Sequence, residues 1–302
     1  MPIPLVDQEH ITGETYLAYL RAVVHQFDLR INAYERVTQL ERSPDGFHLR
    51  TETRTGERGY RSRYVVLATG DMHAVNELGI PGEDLPHVSH RLDDPHRYFR
   101  QRLLVVGGGN SALEFAGRCW RAGAAVTLSY RRQAFSVTFT KTRLVEDMRT
   151  LTRERKITFL PRTVPLEITP EFVNLAPTRD GRPVEGERIR HPADFVLLCT
   201  GYRADLSLFE QAGVAFTGAP GQVPQFNPDT MELTLRGCEG PSGLFVAGTA
   251  ASGQQARHRL FIETAHHHVT KIVERISGQT ATRVNRLVPE GGDAPSPALL
   301  SH

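Results

Sequence analysis

A short stretch near the middle of the chain constrains the fold more than any other part. Four apolar residues, 103–106, are followed by three glycines and then by a sequence with helical periodicity. An uninterrupted apolar run of this kind is typical of a buried parallel strand. Gly107, Gly109 and Ala112 occupy the three small-residue positions of a dinucleotide-binding turn. The stretch therefore predicts a strand, a tight turn and a helix whose N-terminus holds the phosphates of a nucleotide.

Each small residue of this turn has a physical role. Gly107 allows the tight turn, Gly109 lets a pyrophosphate approach the backbone, and Ala112 lets the helix pack closely on the strand. The residues expected to bind the coenzyme phosphates are six consecutive ones: Gly107, Gly108, Gly109, Asn110, Ser111 and Ala112.

The charges at the end of the next predicted strand favour one coenzyme. Residues 125–129 form a second apolar strand, which is followed by Tyr130, Arg131 and Arg132. NAD-binding folds place an acidic residue here for the ribose hydroxyls, and this sequence has none. Two arginines suit the 2′-phosphate of NADPH through charge-assisted hydrogen bonds. The pattern predicts NADPH over NADH; the alternative is a turn without a ligand, followed by two solvated arginines.

The composition of the chain excludes several classes of protein. The 302 residues suffice for about two domains, and the net charge of +2 comes without a basic block, which argues against a nucleic-acid partner. The three cysteines are far apart, with neither a CxxC motif nor zinc spacing. No apolar run reaches transmembrane length, and the N-terminus lacks the features of a signal peptide. We therefore expect a soluble, cytoplasmic protein that binds neither nucleic acid nor membrane.

Three consecutive histidines, His266, His267 and His268, raise the question of a metal site. They lie in a predicted helix that covers residues 261–276, where apolar residues recur at helical spacing. Consecutive positions of a helix point about 100° apart, so the three side chains cannot converge on one ion. We expect an ordinary helix surface with local packing, and no metal site is predicted.

The N-terminal third is predicted to form one helix and a small antiparallel meander. Thr12 is expected to cap a helix that ends near Phe27. Together with Phe27, three residues form the apolar stripe of this helix: Leu17, Leu20 and Val24. The strands of the meander are expected at residues 29–32, 36–40 and 47–53.

Three apolar strands are each expected to run into a glycine turn, which gives the chain an internal repetition. The three stretches are residues 64–70, 195–202 and 243–249. Their turns carry the pairs Thr69 and Gly70, Thr200 and Gly201, and Gly248 and Thr249. A helix is predicted near residues 143–154, and the tail from Pro289 is expected to be disordered.

With these motifs the chain resembles the flavoproteins with two dinucleotide-binding domains that include thioredoxin reductase, within the pyridine nucleotide-disulfide oxidoreductases. The segments that carry the resemblance are residues 67–70, 80–83, 107–112, 130–132, 199–202 and 244–248. Residues 226–232 and 260–263 are similar to the bacillithiol-disulfide (bacilliredoxin) reductase group. Thr249 stands where thioredoxin reductase usually has an Asp, and that group also lacks the Asp.

The resemblance implies an α/β fold with two Rossmann-like domains and two cofactors, FAD and NADPH. The NADPH domain, residues 98–239, would be inserted into a flavin domain formed by residues 1–97 and 240–302. The cofactor contacts implied outside the glycine-rich turn are Thr69, Gly70, Thr200, Gly201, Gly248 and Thr249. No catalytic residue is assigned, and a homodimer or homotetramer is compatible with the resemblance.

The implied reaction moves a hydride from NADPH to FAD and then electrons to a disulfide of a small molecule or small protein. Two alternatives stay open, because the CxxC of thioredoxin reductase is absent. One is a flavoprotein with another acceptor, similar to a ferredoxin–NADP reductase or a monooxygenase. The other is a chain that binds NADPH without flavin.

The beginning of the chain departs from the family pattern. No glycine-rich turn precedes residue 50, so the first strand–helix–strand unit of the flavin domain is absent. We expect either a shortened reading of a longer protein or a variant with impaired flavin binding, and little FAD on this chain. The thiols of Cys119 and Cys199 are expected to be small buried hydrophobic groups without a redox role.

Overall fold

The structure, a computed structural model, describes residues 13–138, 140–218, 223–253 and 262–279. The chain divides into two compact units at the junction between Ser62 and Arg63. The α-helices of the described residues are α1 (Gly13–Gln26), α2 (Asn110–Arg121), α3 (Thr142–Arg153), α4 (Ser207–Gln211) and α5 (Ile262–Ser277). Two 3₁₀ helices cover Pro95–Tyr98 and Gly248–Ser252. None of these helices has the length and apolar character needed to span a membrane.

The strands are short, and most of them lie in the second unit. In chain order they are β1 (Arg36–Ser43), β2 (Gly46–Thr53), β3 (Gly56–Ser62), β4 (Val65–Leu67), β5 (Ala74–Val75), β6 (Val88–Ser89), β7 (Arg102–Val106), β8 (Ala125–Tyr130), β9 (Thr158–Pro161), β10 (Thr163–Ile168), β11 (Phe172–Arg179), β12 (Arg182–Pro183), β13 (Ile189–Pro192), β14 (Phe195–Leu198), β15 (Tyr202–Arg203), β16 (Phe216–Thr217), β17 (Val223–Pro224) and β18 (Leu244–Val246).

The first unit consists of α1 and the antiparallel meander β1-β2-β3. The helix forms where predicted, but its apolar stripe is not buried: Leu17 is 61% exposed, and no residue of α1 is buried. The periodicity therefore predicted the helix and not a packing partner. The strand predicted at residues 29–32 is wrong: the segment pairs with no strand of the described residues, and it lies between Asp28 and Tyr34, which adopt left-handed backbone angles (φ 47° and 57°).

A five-stranded parallel sheet with the order β6-β14-β7-β8-β9 forms the centre of the second unit. Successive residues of β7 alternate between two hydrophobic clusters, as side chains of a strand must. Leu103 and Val105 pack with buried residues of α2 and α3, and Leu104 and Val106 pack with buried residues of β10 and β11. Both faces of the strand are covered, which explains its uninterrupted apolar sequence. The predicted α/β fold with a parallel sheet is confirmed.

Smaller sheets complete the second unit. Strands β10 to β13 form an antiparallel sheet in which β11 pairs with the other three. Two further antiparallel pairs are β5 with β15 and β16 with β17. The pair β4 and β18 is parallel, although the two strands lie far apart in the sequence.

The strand predicted at residues 64–70 needs correction. It is shorter than expected, since β4 covers Val65–Leu67, and it is only partly buried, since Val66 is 43% exposed. Within the described residues β4 pairs with β18 alone. The strand predicted at 243–249 is buried as expected, with all three residues of β18 inside. Thr12, Phe261 and the tail from Pro289 lie outside the described residues.

Candidate nucleotide sites

The glycine-rich turn after β7 is shaped by its neighbours in the parallel sheet. Gly107 has φ +141°, a backbone angle that side chains disfavour. A Cβ atom at this position would lie 2.5 Å from the carbonyl oxygen of Cys199, at the end of the adjacent strand β14. It would also lie 3.1 Å from the Cβ of Ala112 in the first turn of α2. The predicted roles of Gly107 in the turn and of Ala112 in close packing agree with this geometry.

The second glycine of the turn, Gly108, lies against an aromatic ring. A Cβ on Gly108 would overlap the ring of Tyr130, the last residue of β8. Tyr130 stacks on Phe135 (5.8 Å between ring centroids), and Phe135 contacts Phe159 of β9 (4.7 Å). The three rings form a shelf that supports the turn, and sequence reasoning missed this role of Tyr130.

The third glycine faces open space. No atom lies within 4 Å of a Cβ built on Gly109, which is the N-cap residue of α2 and offers no side chain to the helix end. The first N–H groups of a helix have no partner within the helix, and with the helix dipole they attract an anion. Asn110 and Ser111 begin α2 immediately after this opening. The residues present therefore fit the pyrophosphate of a dinucleotide.

The loop after β8 is fastened to the same turn. The backbone N–H of Lys141 donates a hydrogen bond to Oδ1 of Asn110 (2.8 Å), and Oγ1 of buried Thr140 donates to the carbonyl of Gly108 (3.5 Å). The amide of Asn110, predicted to bind the coenzyme, thus also positions a neighbouring loop.

The two predicted arginines follow β8 and are exposed. Their backbone is held in place: Oγ1 of Thr178 donates to the carbonyl of Arg131 (2.7 Å), and the N–H of Arg162 donates to the carbonyl of Arg132 (3.2 Å). The N–H of Thr178 in turn donates to the carbonyl of Arg162 (2.7 Å). Thr178 and Arg162 come from distant sequence positions, and sequence reasoning missed both.

These hydrogen bonds bring three arginines to one end of the parallel sheet. Arg131, Arg132 and Arg162 are exposed, and none of them forms a side-chain hydrogen bond or ion pair within the described part of the chain. By contrast, Arg102 and Arg275 are paired with Asp194 and Glu232. Three cations at a strand end, without a carboxylate partner among the described residues, are suited to a highly charged anion such as a phosphate monoester. The contact of Arg131 and Arg132 with a 2′-phosphate stays a prediction.

A second candidate site lies at the carboxyl ends of β4 and β18. There the structure brings together two of the three predicted glycine turns: a Cβ on Gly70 would lie 3.8 Å from Oγ1 of Thr249. A cavity of about 360 Å³ opens at this place. It is lined by Thr69, Gly70, Asp71, Met72, His73, Asp205, Leu208 and Thr249. Its size falls within the range of small-molecule sites, about 300 to 1,000 Å³.

The third predicted turn pair, Thr200 and Gly201, does not line this cavity. Oγ1 of Thr200 donates to the carbonyl of Asn76 (2.6 Å), and the N–H of Asn76 donates to the carbonyl of Gly201 (3.0 Å). These bonds extend the pairing of β15 with β5. Thr200 and Gly201 therefore join two connecting segments, and a contact of either residue with a cofactor stays a prediction.

One histidine of the predicted helix surface contacts Gly248, the residue before Thr249 of the second site. The N–H of Gly248 donates to Nδ1 of His268 in α5 (3.2 Å). Burial lowers the pKa of His268 below its ordinary value, and nearby Lys271 and His267 lower it further. The sequence predicted local packing for these histidines, but not this partner.

Two of the three cysteines have thiols that are hard to ionise. Cys119 is completely buried, and burial raises the pKa of its thiol to about 12. Burial likewise raises the pKa of Cys199 to about 12. Because the thiolate is the reactive form, neither group is suited to exchange with a disulfide near neutral pH.

Comparison with known proteins identifies the family of the chain. Residues 1–248 match the family described as pyridine nucleotide-disulphide oxidoreductase, and the chain belongs to this family. It is similar to the bacilliredoxin reductase Bdr of Bacillus subtilis, with 33% identity over 223 residues, which are 74% of this chain and 64% of that protein. The match thus spans somewhat less than two thirds of the relative.

Solved structures lead to the same fold. The bacillithiol disulfide reductase Bdr of Bacillus cereus superposes with a TM-score of 0.76 and 29% identity, covering 92% of this chain and 82% of that one. The thioredoxin reductase of T. acidophilum superposes with a TM-score of 0.70 and 18% identity, covering 91% of this chain and 83% of that one. At this identity the similarity shows the fold alone. The predicted family and its two-domain α/β fold are confirmed.

Proposed function

We propose that the chain acts as an NADPH-dependent FAD oxidoreductase that reduces a low-molecular-weight or protein disulfide of the bacillithiol type. The observation that carries the coenzyme assignment is the open glycine-rich turn at Gly109 together with Arg131 and Arg132, whose side chains have no partner in the described part of the chain. The acceptor class is supported by the similarity to the two bacillithiol and bacilliredoxin reductases.

In this proposal the chain binds NADPH at the carboxyl end of its parallel sheet. The N–H groups at the start of α2 hold the pyrophosphate, and Gly109 leaves room for it. Arg131 and Arg132 hold the 2′-phosphate, which distinguishes NADPH from NADH. When bound, NADPH supplies a hydride to FAD, which passes electrons to the acceptor.

We place the flavin at the cavity between the turns at Thr69 and Thr249. Two glycine turns that face each other at the ends of parallel strands are a suitable cradle for a flat ring. The same pairing supports a flavin domain formed by residues 1–97 and 240–302, with residues 98–239 inserted, because β4 and β18 come from the two separate parts. The cytoplasmic location and the oligomeric state stay predictions from the sequence.

The cysteines support a particular route for the electrons. Cys119 and Cys199 have raised thiol pKa values, and the sequence contains no CxxC motif. A thiol relay within the NADPH domain is therefore disfavoured. We infer that the acceptor disulfide meets the flavin, or a group beside it, without a dithiol of the NADPH domain as intermediate.

Calorimetric titration of the chain with NADPH and NADH tests the coenzyme assignment. Arg131→Gln combined with Arg132→Gln should weaken NADPH binding by at least about tenfold and leave NADH binding nearly unchanged, since charged hydrogen bonds contribute on the order of 2 kcal/mol each. A control with the same loss of charge is Arg153→Gln combined with Arg155→Gln, just before β9 at the opposite end of the sheet. Equal losses for both coenzymes would contradict the assignment.

The acceptor is tested separately, by following the oxidation of NADPH with added FAD. Bacillithiol disulfide and bacilliredoxin mixed disulfide should accelerate it, whereas ferredoxin should not. Acceleration by ferredoxin alone, or by dioxygen alone, would instead favour the alternative acceptors.

A further inference from the structure

Helix α5 supplies one side chain to the turn that lines the second cavity. Nδ1 of His268 accepts a hydrogen bond from the N–H of Gly248 at 3.2 Å. Gly248 is the first residue of the 3₁₀ turn Gly248–Ser252, and the next residue, Thr249, lines the cavity. A contact from a separate helix therefore reaches the backbone one residue away from the cavity wall.

The hydrogen bond to His268 begins at the residue where the backbone hydrogen bonds between β18 and β4 end. The last backbone hydrogen bond from this segment to β4 runs from the N–H of Ala247 to the carbonyl of Leu67 (3.0 Å). At Gly248 the backbone changes to a left-handed angle (φ +69°) and leaves the sheet direction. The N–H of Gly248 thus points to His268 instead of to a strand, so the side chain fixes the turn at its first residue.

The hydrogen bond requires one form of the imidazole ring. Nδ1 can accept only while it carries no proton, which places the ring proton on Nε2. Protonation would put an N–H group on Nδ1, opposite the N–H of Gly248. Two donors would then face each other, and the hydrogen bond would be lost.

The charged groups around His268 are mainly cations of its own helix. Burial is the main cause of the lowered pKa of His268, and the charges of Lys271 and His267 lower it further. Nζ of Lys271 also donates a hydrogen bond to the carbonyl of Pro228 (2.6 Å). Glu232, which α5 contacts through Arg275, is already bound by that arginine and by the N–H of Gly243. The strands beside the turn, β18, β4 and β17, carry no titratable side chain. The loop after β4 and the segment before α4 place three titratable groups in the wall of the cavity itself: Asp71, His73 and Asp205.

We propose that His268 is a positioning residue whose neutral ring holds the turn at Gly248 and Thr249 in the shape that lines the cavity, so that ligand binding there weakens in acid. The inference rests on the proposed function only for the identity of the ligand, which is the ring portion of the flavin. The hydrogen bond is present above the ordinary histidine pKa of about 6.5. It is lost as the pH falls through the lowered pKa of the folded protein.

Three variants of the full chain separate positioning from general stability. His268→Asn keeps an acceptor, because Oδ1 of Asn takes nearly the place of Nδ1, but it does not titrate. His268→Leu removes the acceptor. His266→Asn is the control, since it changes an exposed histidine of the same helix turn that is not among the groups lowering the pKa of His268.

The first measurement follows the amide of Gly248 in protein labelled with ¹⁵N-glycine, between about pH 5 and 8. In the unmodified chain the protection factor of this amide should fall in acid, and its chemical shift should follow one titration. The Asn variant should stay protected without that titration, the Leu variant should be unprotected throughout, and the His266 control should behave as the unmodified chain. A Leu variant with full protection, or an Asn variant that still titrates, would overturn the proposal.

The second measurement is flavin binding, followed by the quenching of FAD fluorescence on the same samples. Affinity should fall on the order of five- to tenfold in the Leu variant and in acid, and it should be restored at all pH values by the Asn variant. If no form of the chain binds FAD, the flavin part of the proposed function fails. The amide data still decide the role of His268, because they need no ligand.

Discussion

The ring of Tyr130 lies against Gly108, in the space that a side chain at this position would fill. The last residue of β8 thus contacts the glycine-rich turn that follows the neighbouring strand β7. This contact places the aromatic shelf of Tyr130, Phe135 and Phe159 directly under the candidate coenzyme site.

The first prediction follows from this contact. Gly108→Ala should destabilise the fold by about 1 to 3 kcal/mol, because the added methyl group overlaps the ring and the turn must shift. Tyr130→Ser combined with Gly108→Ala should recover part of the loss, which thermal unfolding of the single and double variants measures. Strictly additive effects would show that the two positions do not interact.

Gly107 and Gly109 are expected to respond differently to the same change. Gly107→Ala should strongly destabilise the chain, since it combines a disfavoured backbone angle with an overlap on the carbonyl of Cys199. Gly109→Val should leave the melting temperature nearly unchanged but abolish binding of NADPH, because the side chain would occupy the open space for the pyrophosphate. Unchanged affinity in Gly109→Val would place the phosphates elsewhere.

Arg162 is predicted to contribute to coenzyme selectivity. Arg162→Gln should weaken NADPH binding by about tenfold and affect NADH little, because its backbone is tied to Arg132 and its side chain has no carboxylate partner among the described residues. Calorimetry with both coenzymes measures the ratio. Arg155→Gln, at the other end of β9, is the control and should change neither affinity.

The cysteines should differ in their reactivity in the folded chain. Near neutral pH, iodoacetamide should leave Cys119 and Cys199 unmodified, because burial raises both thiol pKa values to about 12. Cys238, in a loop, should be alkylated first, and all three should react after unfolding in denaturant. Mass spectrometry of peptides gives the modified positions, and alkylation of native Cys119 as fast as Cys238 would contradict the expectation.

The sequence predicted those features that depend on neighbours in the chain. The glycine-rich turn, the parallel strand before it and the arginines after β8 were all found because each is a local pattern with a known physical cause. The site also depends on contacts between distant segments, such as Arg162 with Arg132 and His268 with Gly248. No spacing rule connects such pairs, so only the folded chain shows them.

The wrong predictions in the first unit also concern contacts between segments, which a local pattern does not specify. The helix α1 was predicted from its periodicity, but an apolar stripe does not say what covers it, and Leu17 is exposed. Residues 29–32 have the composition of a strand, but a strand exists only with a partner, and this segment pairs with no strand among the described residues.

The pairing of β4 with β18 also has a consequence for how the chain acquires its structure. A ribosome delivers Val65 long before its partner Leu244, and the whole five-stranded sheet is synthesised between them. Contacts of such high sequence separation form late and slow the overall folding rate, whereas β7, α2 and β8 are neighbours that can assemble early. The nucleotide turn should therefore mature during translation, and the cavity beside Thr249 should close only as a final event, after β18 has left the ribosome.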